Sequence, residues 1–264
     1  MKRKHSLIVG GTRGTGRALV RTLAREGHAL SVIGKRSPVE TDRSIPNIHY
    51  WVVDLLDQKR LGEVLAEAIS QNGKLSNLVF FQRYRGEGDD WEGEMQTSLT
   101  ATRNVIERLV DKFDDTTEKS IVIVSSLAGY YITEEQPLSY HVAKAGLNQI
   151  VRFYAVALGP KQVRVNCVSS GTILKEESKD FYLQNEKLLN LYKKITPLGR
   201  MGTSKDIADV IAFLCSPKAL FITGQNIVVD GGISIQSHES LARQLTPLKD
   251  LNVLRQTHRK PNRI

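Results

Sequence analysis

Short apolar runs alternate along the chain with longer stretches in which apolar residues recur at helical spacing. "HSLIVG" predicts a first strand, and "TGRALVRTLAREG" the helix after it, stopped by Gly27. "HALSVIG" and "IHYWVVD" predict the second and third strands, followed by the helix "QKRLGEVLAEAIS". Then come a strand in "LSNLVFF", a helix within residues 91 to 113, a strand in "KSIVIVSS", a helix from about 140 to 158, and a strand in "QVRVNCVSS". "TSKDIADVIAFLCS" opens with Thr203 and Asp206 at capping-box spacing, and "QNIVVDGG" closes the series. This order predicts an α/β fold: a doubly wound, mostly parallel sheet of about seven strands with helices on both faces. Residues 1 to 237 are expected to form that domain and residues 238 to 264 a basic tail, without internal repeats.

Composition changes this picture little. The 264 residues are 41% hydrophobic and 25% charged, enough for a sizeable core. No run approaches the ~20 apolar residues that cross a bilayer, and the chain passes from "MKRK" into glycines where a signal peptide needs an apolar stretch, so it is expected to be cytoplasmic and without a membrane partner. Cys167 and Cys215 lack ligand-like spacing and lie in apolar segments, which predicts buried thiols and no metal site. The net charge of +9 sits mostly at the ends: Lys2, Arg3 and Lys4, and then Arg243, Lys249, Arg255, Arg259, Lys260 and Arg263 against Glu239 and Asp250. A nearly neutral body with solvated basic ends argues against a nucleic-acid groove.

Candidate chemistry begins with "VGGTRGTG", whose Gly10, Gly14 and Gly16 fall between the first strand and helix. Gly10 suits a tight turn, Gly14 a close approach to a pyrophosphate and Gly16 close helix packing, with the helix amides facing the phosphates. The alternative is a glycine turn without a ligand. At the end of the second strand, where an acidic residue would bond the ribose of NAD, stand Gly34, Lys35 and Arg36. With Arg13 they form either a clamp for the 2′-phosphate of NADP or solvated loop cations. In "SYHVAKAG", Tyr140 and Lys144 are four residues apart and share a helix face, and Ser126 ends an earlier strand at the carboxyl edge where such sheets bind ligands. Acid or base work by a tyrosine at neutral pH needs a cation nearby, which Lys144 supplies.

With these motifs, the chain from residue 5 to about 233 resembles the short-chain dehydrogenase/reductase family in its classical subgroup, and in particular 3-oxoacyl-carrier-protein reductases. The resemblance extends to "VRVNCVSSGTI" and "PLGRMGTSKDIADVIAFLCSPKALFITGQNIVVDGG". It implies a single-domain Rossmann fold that binds NADP(H) through Gly10, Thr12, Arg13, Gly14, Thr15, Gly16, Lys35, Arg36, Asp54, Leu55, Gly171 and Ile173 together with Tyr140 and Lys144. It further implies catalysis by Ser126, Tyr140 and Lys144, with Ser98 at the position of the family's helix asparagine, and a mobile lobe over the substrate at residues 175 to 200. The expected reaction is reduction of a ketone to a secondary alcohol by a homo-oligomer, a dimer or tetramer, pairing through helices near 97–112 and 141–158.

Departures from the family pattern gather near the nicotinamide. Phe80, Phe81, Gln82 and Arg83 replace Asn-Asn-Ala-Gly; Val9 replaces a threonine, Ser170 and Gly171 a Pro-Gly pair, and Lys175 a threonine. Arg83 and Arg85, with Lys175, are candidates to bind an anionic substrate, such as a nucleotide-linked sugar or a carrier-bound acyl group; the alternative is that both arginines are solvated loop cations. The rival from another class is an NADP-binding sensor or scaffold without turnover.

Overall fold

The computed structural model describes residues 3–87 and 89–246. Its strands are β1 (His5–Val9), β2 (Ala29–Gly34), β3 (Ile48–Val52), β4 (Asn77–Phe80), β5 (Lys119–Ser126), β6 (Val163–Ser170), β7 (Ile173–Leu174), β8 (Gly202–Thr203) and β9 (Asn226–Val229). Its α-helices are α1 (Gly14–Arg25), α2 (Glu40–Arg43), α3 (Gln58–Asn72), α4 (Trp91–Glu94), α5 (Ala101–Leu109), α6 (Leu138–Leu158), α7 (Lys179–Gln184), α8 (Glu186–Ile195), α9 (Ser204–Leu214) and α10 (His238–Leu245). Seven strands form one sheet in the order β3-β2-β1-β4-β5-β6-β9, all pairs parallel, as the apolar runs predict.

Parallel strands covered by helices are buried on both faces, and all five residues of β1 are. Its one imidazole is tolerated there because both ring nitrogens are satisfied: His5 Nδ1 lies 2.7 Å from the Gly73 carbonyl and Nε2 2.8 Å from Ser31 Oγ. Leu19, Val20 and Leu23 of α1 pack with Ile207, Ala208 and Ile211 of α9 over one face of the sheet. The other face is covered from α3, α5 and α6, by residues such as Leu61, Val105, Ile106 and Leu147. The Thr203–Asp206 capping box opens α9 as its spacing predicts, with the Thr203 amide donating to Asp206 Oδ2 at 2.7 Å.

Three features depart from the periodicity. The helix expected within 91–113 is α4 and α5 joined by a π-helical turn, Met95–Thr100. Side chains there compete with the backbone ladder: Thr102 Oγ1 donates to the Ser98 carbonyl at 2.6 Å, and Ser98 Oγ donates to Glu94. Two-residue strands β7 and β8 pair parallel and pin the two ends of the 175–200 segment; they are too short to register as a pattern. Between them α7 and α8 make that lobe helical. Of the basic tail, α10 is helical, and residues 247–264 lie outside the described residues.

The chain leaves β1 toward β2 on one side and returns to β4 on the other, so the carboxyl ends of β1 and β4 border the crevice where doubly wound sheets bind ligands. Among the described residues no helix is long and apolar enough to cross a membrane, and no cluster of three or more His, Cys, Asp or Glu residues is placed to hold a metal. Cys167 and Cys215 are buried free thiols, and burial pushes both up to about 12.

Candidate active site

A cleft of about 1060 Å³ opens over that crossing point. Its floor begins at the glycine turn. Gly10 has φ +85°, a conformation open to glycine, and a Cβ there would meet the Gln82 amide nitrogen at 2.8 Å. A Cβ on Gly16 would sit 2.3 Å from the Gly10 carbonyl oxygen, so the first turn of α1 can lie on the loop only without one. Gly14 has φ +52°, and its amide donates to Glu177 Oε1 of the lobe at 2.8 Å. Arg17, one turn into α1, donates to Asp42 at 2.5 Å and to Glu176 at 2.7 Å. The lobe is thus tied to the helix start by two carboxylates. Neither contact has a local signature, because the partners are 163 and 159 residues apart.

The opposite wall carries Ser126, Tyr140 and Lys144. Ser126 ends β5, and its Oγ accepts from the Ala128 amide at 3.2 Å. Gly129 lets the turn after it lie against α6, since a Cβ there would meet Asn148 Nδ2 at 2.8 Å and the Lys144 carbonyl at 3.1 Å. Ser125 Oγ closes the same contact by donating to the Lys144 carbonyl at 3.2 Å. Lys144 is 3% exposed; its Nζ donates to the Val124 carbonyl at 3.2 Å and stands 5.4 Å from the Tyr140 ring centroid.

Every residue expected at the site lines this cleft except Ser98. Ser98 is fully buried, its hydroxyl is given to Glu94, and Thr97 faces the cleft instead. The π-turn sets this phase, which helical periodicity does not reveal. Gln82, at the alanine position of the family's Asn-Asn-Ala-Gly, donates through Nε2 to Thr102 Oγ1 at 2.6 Å and leaves its buried Oε1 unpartnered. Other wall residues not anticipated are Thr172, Glu177 and Tyr182.

Cations ring the cleft at two places. Near the end of β2, Lys35 Nζ pairs with Asp54 at 2.7 Å, and that ammonium together with the Leu56 amide holds the Asp54 carboxyl below its usual range. Arg13 and Arg36 stand beside them. Beyond β4, the Arg83 guanidinium lies over the Tyr140 ring, 4.9 Å from its centroid. Partial burial, Arg83 and Arg36 lower the pKa of Arg85; burial, Arg85 and Arg83 lower that of Lys175.

Residues 9–234 match the family model described as Enoyl-(Acyl carrier protein) reductase. The human protein "Dehydrogenase/reductase SDR family member 2, mitochondrial" is 30% identical over 244 residues, which cover 86% of this chain and 85% of the relative. The chain belongs to the short-chain dehydrogenase/reductase family. The 3-oxoacyl-[acyl-carrier-protein] reductase FabG of Aquifex aeolicus is likewise 30% identical over 247 residues, 87% of this chain and 97% of the relative. The structure of ElxO with NADP bound superposes with a TM-score of 0.76 at 22% identity, covering 89% of this chain and all of that one. As a member of this family the chain is an oxidoreductase acting between an alcohol CH–OH group and a carbonyl, and relatives in the family use nicotinamide cofactors.

Proposed function

We propose that this short-chain dehydrogenase/reductase is an NADP(H)-dependent enzyme that reduces a ketone to a secondary alcohol in a reducing cytosol, the lobe at 175–200 closing over its substrate. The observation that carries the reading is the convergence of Ser126, Tyr140 and Lys144 on the wall of the cleft that begins at the glycine turn. The residues present fit a dinucleotide. Gly10 and Gly16 let the turn lie on the end of β4 and on the first turn of α1, whose amides suit its phosphates, and the unpartnered Gln82 Oε1 is an acceptor for a sugar hydroxyl. Arg13, Lys35 and Arg36 favour the added 2′-phosphate, and the NADP held by ElxO supports that choice. Because Lys35 shares its charge with Asp54, Arg13 and Arg36 carry more of that role.

When bound, the dinucleotide supplies the hydride. Ser126 Oγ donates a hydrogen bond to the substrate carbonyl oxygen. Tyr140 transfers its hydroxyl proton to the same oxygen as general acid. Lys144, held by the Val124 carbonyl, attracts the negative charge left on the phenol oxygen and orients the ring. For Tyr140→Phe we expect NADPH binding, followed by fluorescence titration, to persist while turnover of ketones falls by about 10²-fold or more. An undiminished rate refutes the assignment.

A second reading, an NADP-binding sensor without turnover, is favoured by Ser98: it stands at the family's relay position yet gives its hydroxyl to Glu94 and its carbonyl to Thr102. NADPH oxidation by the wild-type protein, absent in Tyr140→Phe, excludes it.

A further inference from the structure

Three cations stand on the cleft wall around Tyr140: Arg83, Arg85 and Lys175. Among the described residues none has an ion-pair partner, although 15 Lys or Arg ion pairs join other described residues. Arg83 donates only to the Tyr84 carbonyl, at 3.4 Å, and Glu177, the acid that also lines the cleft nearby, is engaged by the Gly14 amide. Like charges gathered at a partly desolvated wall repel one another, and an anion among them relieves that repulsion. Lys175 lies against Gly14, where the cofactor's pyrophosphate belongs, and Arg85 stands within reach of the Arg36 charge beside the 2′-phosphate, so the cofactor accounts for those two. It supplies no anion to Arg83, over the Tyr140 ring, because an oxidised nicotinamide beside Tyr140 is itself positive.

We infer that the substrate is an oxo acid whose carboxylate is held by Arg83, with Arg85 flanking, a few bonds from the carbonyl that Tyr140 serves. This rests on the reading of the site as a carbonyl reductase. The distance to the reacting group follows from the 4.9 Å between the Arg83 guanidinium and the Tyr140 ring: a carboxylate bonded to Arg83 lies alongside the phenol. A charge at the end of a long carrier arm does not meet this geometry, nor does a neutral ketone. The reaction is balanced as hydride from NADPH to the carbonyl carbon, the C=O π pair moving to oxygen, and the Tyr140 proton completing the hydroxy acid. NADPH is oxidised and the oxo acid reduced, and Tyr140 regains a proton from solvent.

The test pairs 2- and 3-oxo acids of three to eight carbons with their methyl esters. Each is titrated calorimetrically into enzyme saturated with NADP+ and assayed for NADPH oxidation. At least one acid is expected to bind tenfold or more tightly than its ester, with Arg83→Ala collapsing that ratio and Arg83→Lys restoring part of it. Retained NADPH binding and an unchanged melting temperature certify the fold of each variant. The inference is overturned if no acid binds better than its ester. It is equally overturned if Arg83→Ala lowers affinity for acid and ester alike, or weakens NADPH as much as the acid, which assigns the cation to the cofactor. Arg83-dependent binding of an acid without turnover leaves the anion site standing and removes the reductase reading instead.

Discussion

At the scale of single residues, His28 is as informative as the residues proposed for catalysis. It is 8% exposed, and its Nδ1 shares a 2.8 Å hydrogen bond with Ser6 Oγ. Burial lowers its pKa to about 4, with Lys4 acting in the same direction and Glu118 against it; Glu26 lies 4.0 Å away. The folded chain therefore keeps His28 neutral where an unfolded chain, titrating near 6.5, protonates it. Between these values the unfolded state binds more protons, so this contribution to stability is full above pH 6.5 and is lost as pH falls toward 4, amounting to about 3 kcal/mol. His5 shifts the same way, so the comparison is between wild type and His28→Asn. Urea unfolding at pH 7 and 4.5 should show the variant losing less stability than wild type; equal losses contradict the argument. Tyr140, Lys144, Gly10, Gly14 and Gly16 are legible from the sequence because their chemistry is written in local spacing. His28 is not, since its pKa depends on burial that the sequence order alone does not disclose.

Among the elements, the lobe is where sequence and structure part most. Its helices α7 and α8 carry no motif, and its ties to α1 join residues distant in the chain. The carboxylate of Glu177 sits on the Gly14 amide, where a cofactor phosphate would be received, and Glu176 takes Arg17. A dinucleotide entering the cleft must then displace Glu177. Glu177→Ala removes that competitor, and because the acid is exposed the gain is modest: NADPH should bind about threefold to tenfold tighter. Stopped-flow fluorescence should assign the change mainly to a faster on-rate. Weaker binding of NADPH to the variant would mean that Glu177 orders the turn instead of blocking it. The π-turn between α4 and α5 escaped periodicity for a related reason: hydroxyl and carboxylate side chains, not apolar spacing, set its register.

At the scale of the whole molecule, strand number, strand direction and the position of the cleft were legible, because burial on both faces of a parallel sheet imposes unbroken apolar runs. What the sheet leaves uncovered leads to the last prediction. One side of α6 packs on β5 and β6 and positions Tyr140 and Lys144. The opposite side presents Leu138, Val142, Phe153 and Val156, which fall within one narrow stripe of the helix, Phe153 at 65% exposure and Val156 at 81%. An apolar stripe on the back of α6 is expected to be covered by a second copy of the chain, since hydrophobic surface of this kind marks association. Sedimentation velocity at micromolar concentration should then give a dimer or tetramer, and Phe153→Asp with Val156→Asp should shift it toward monomer. Both side chains are largely exposed, so the monomer should stay folded by circular dichroism. Its turnover would fall only to the extent that association steadies α6 beneath Tyr140. A wild-type protein that sediments as a monomer at these concentrations would show that the stripe has another purpose.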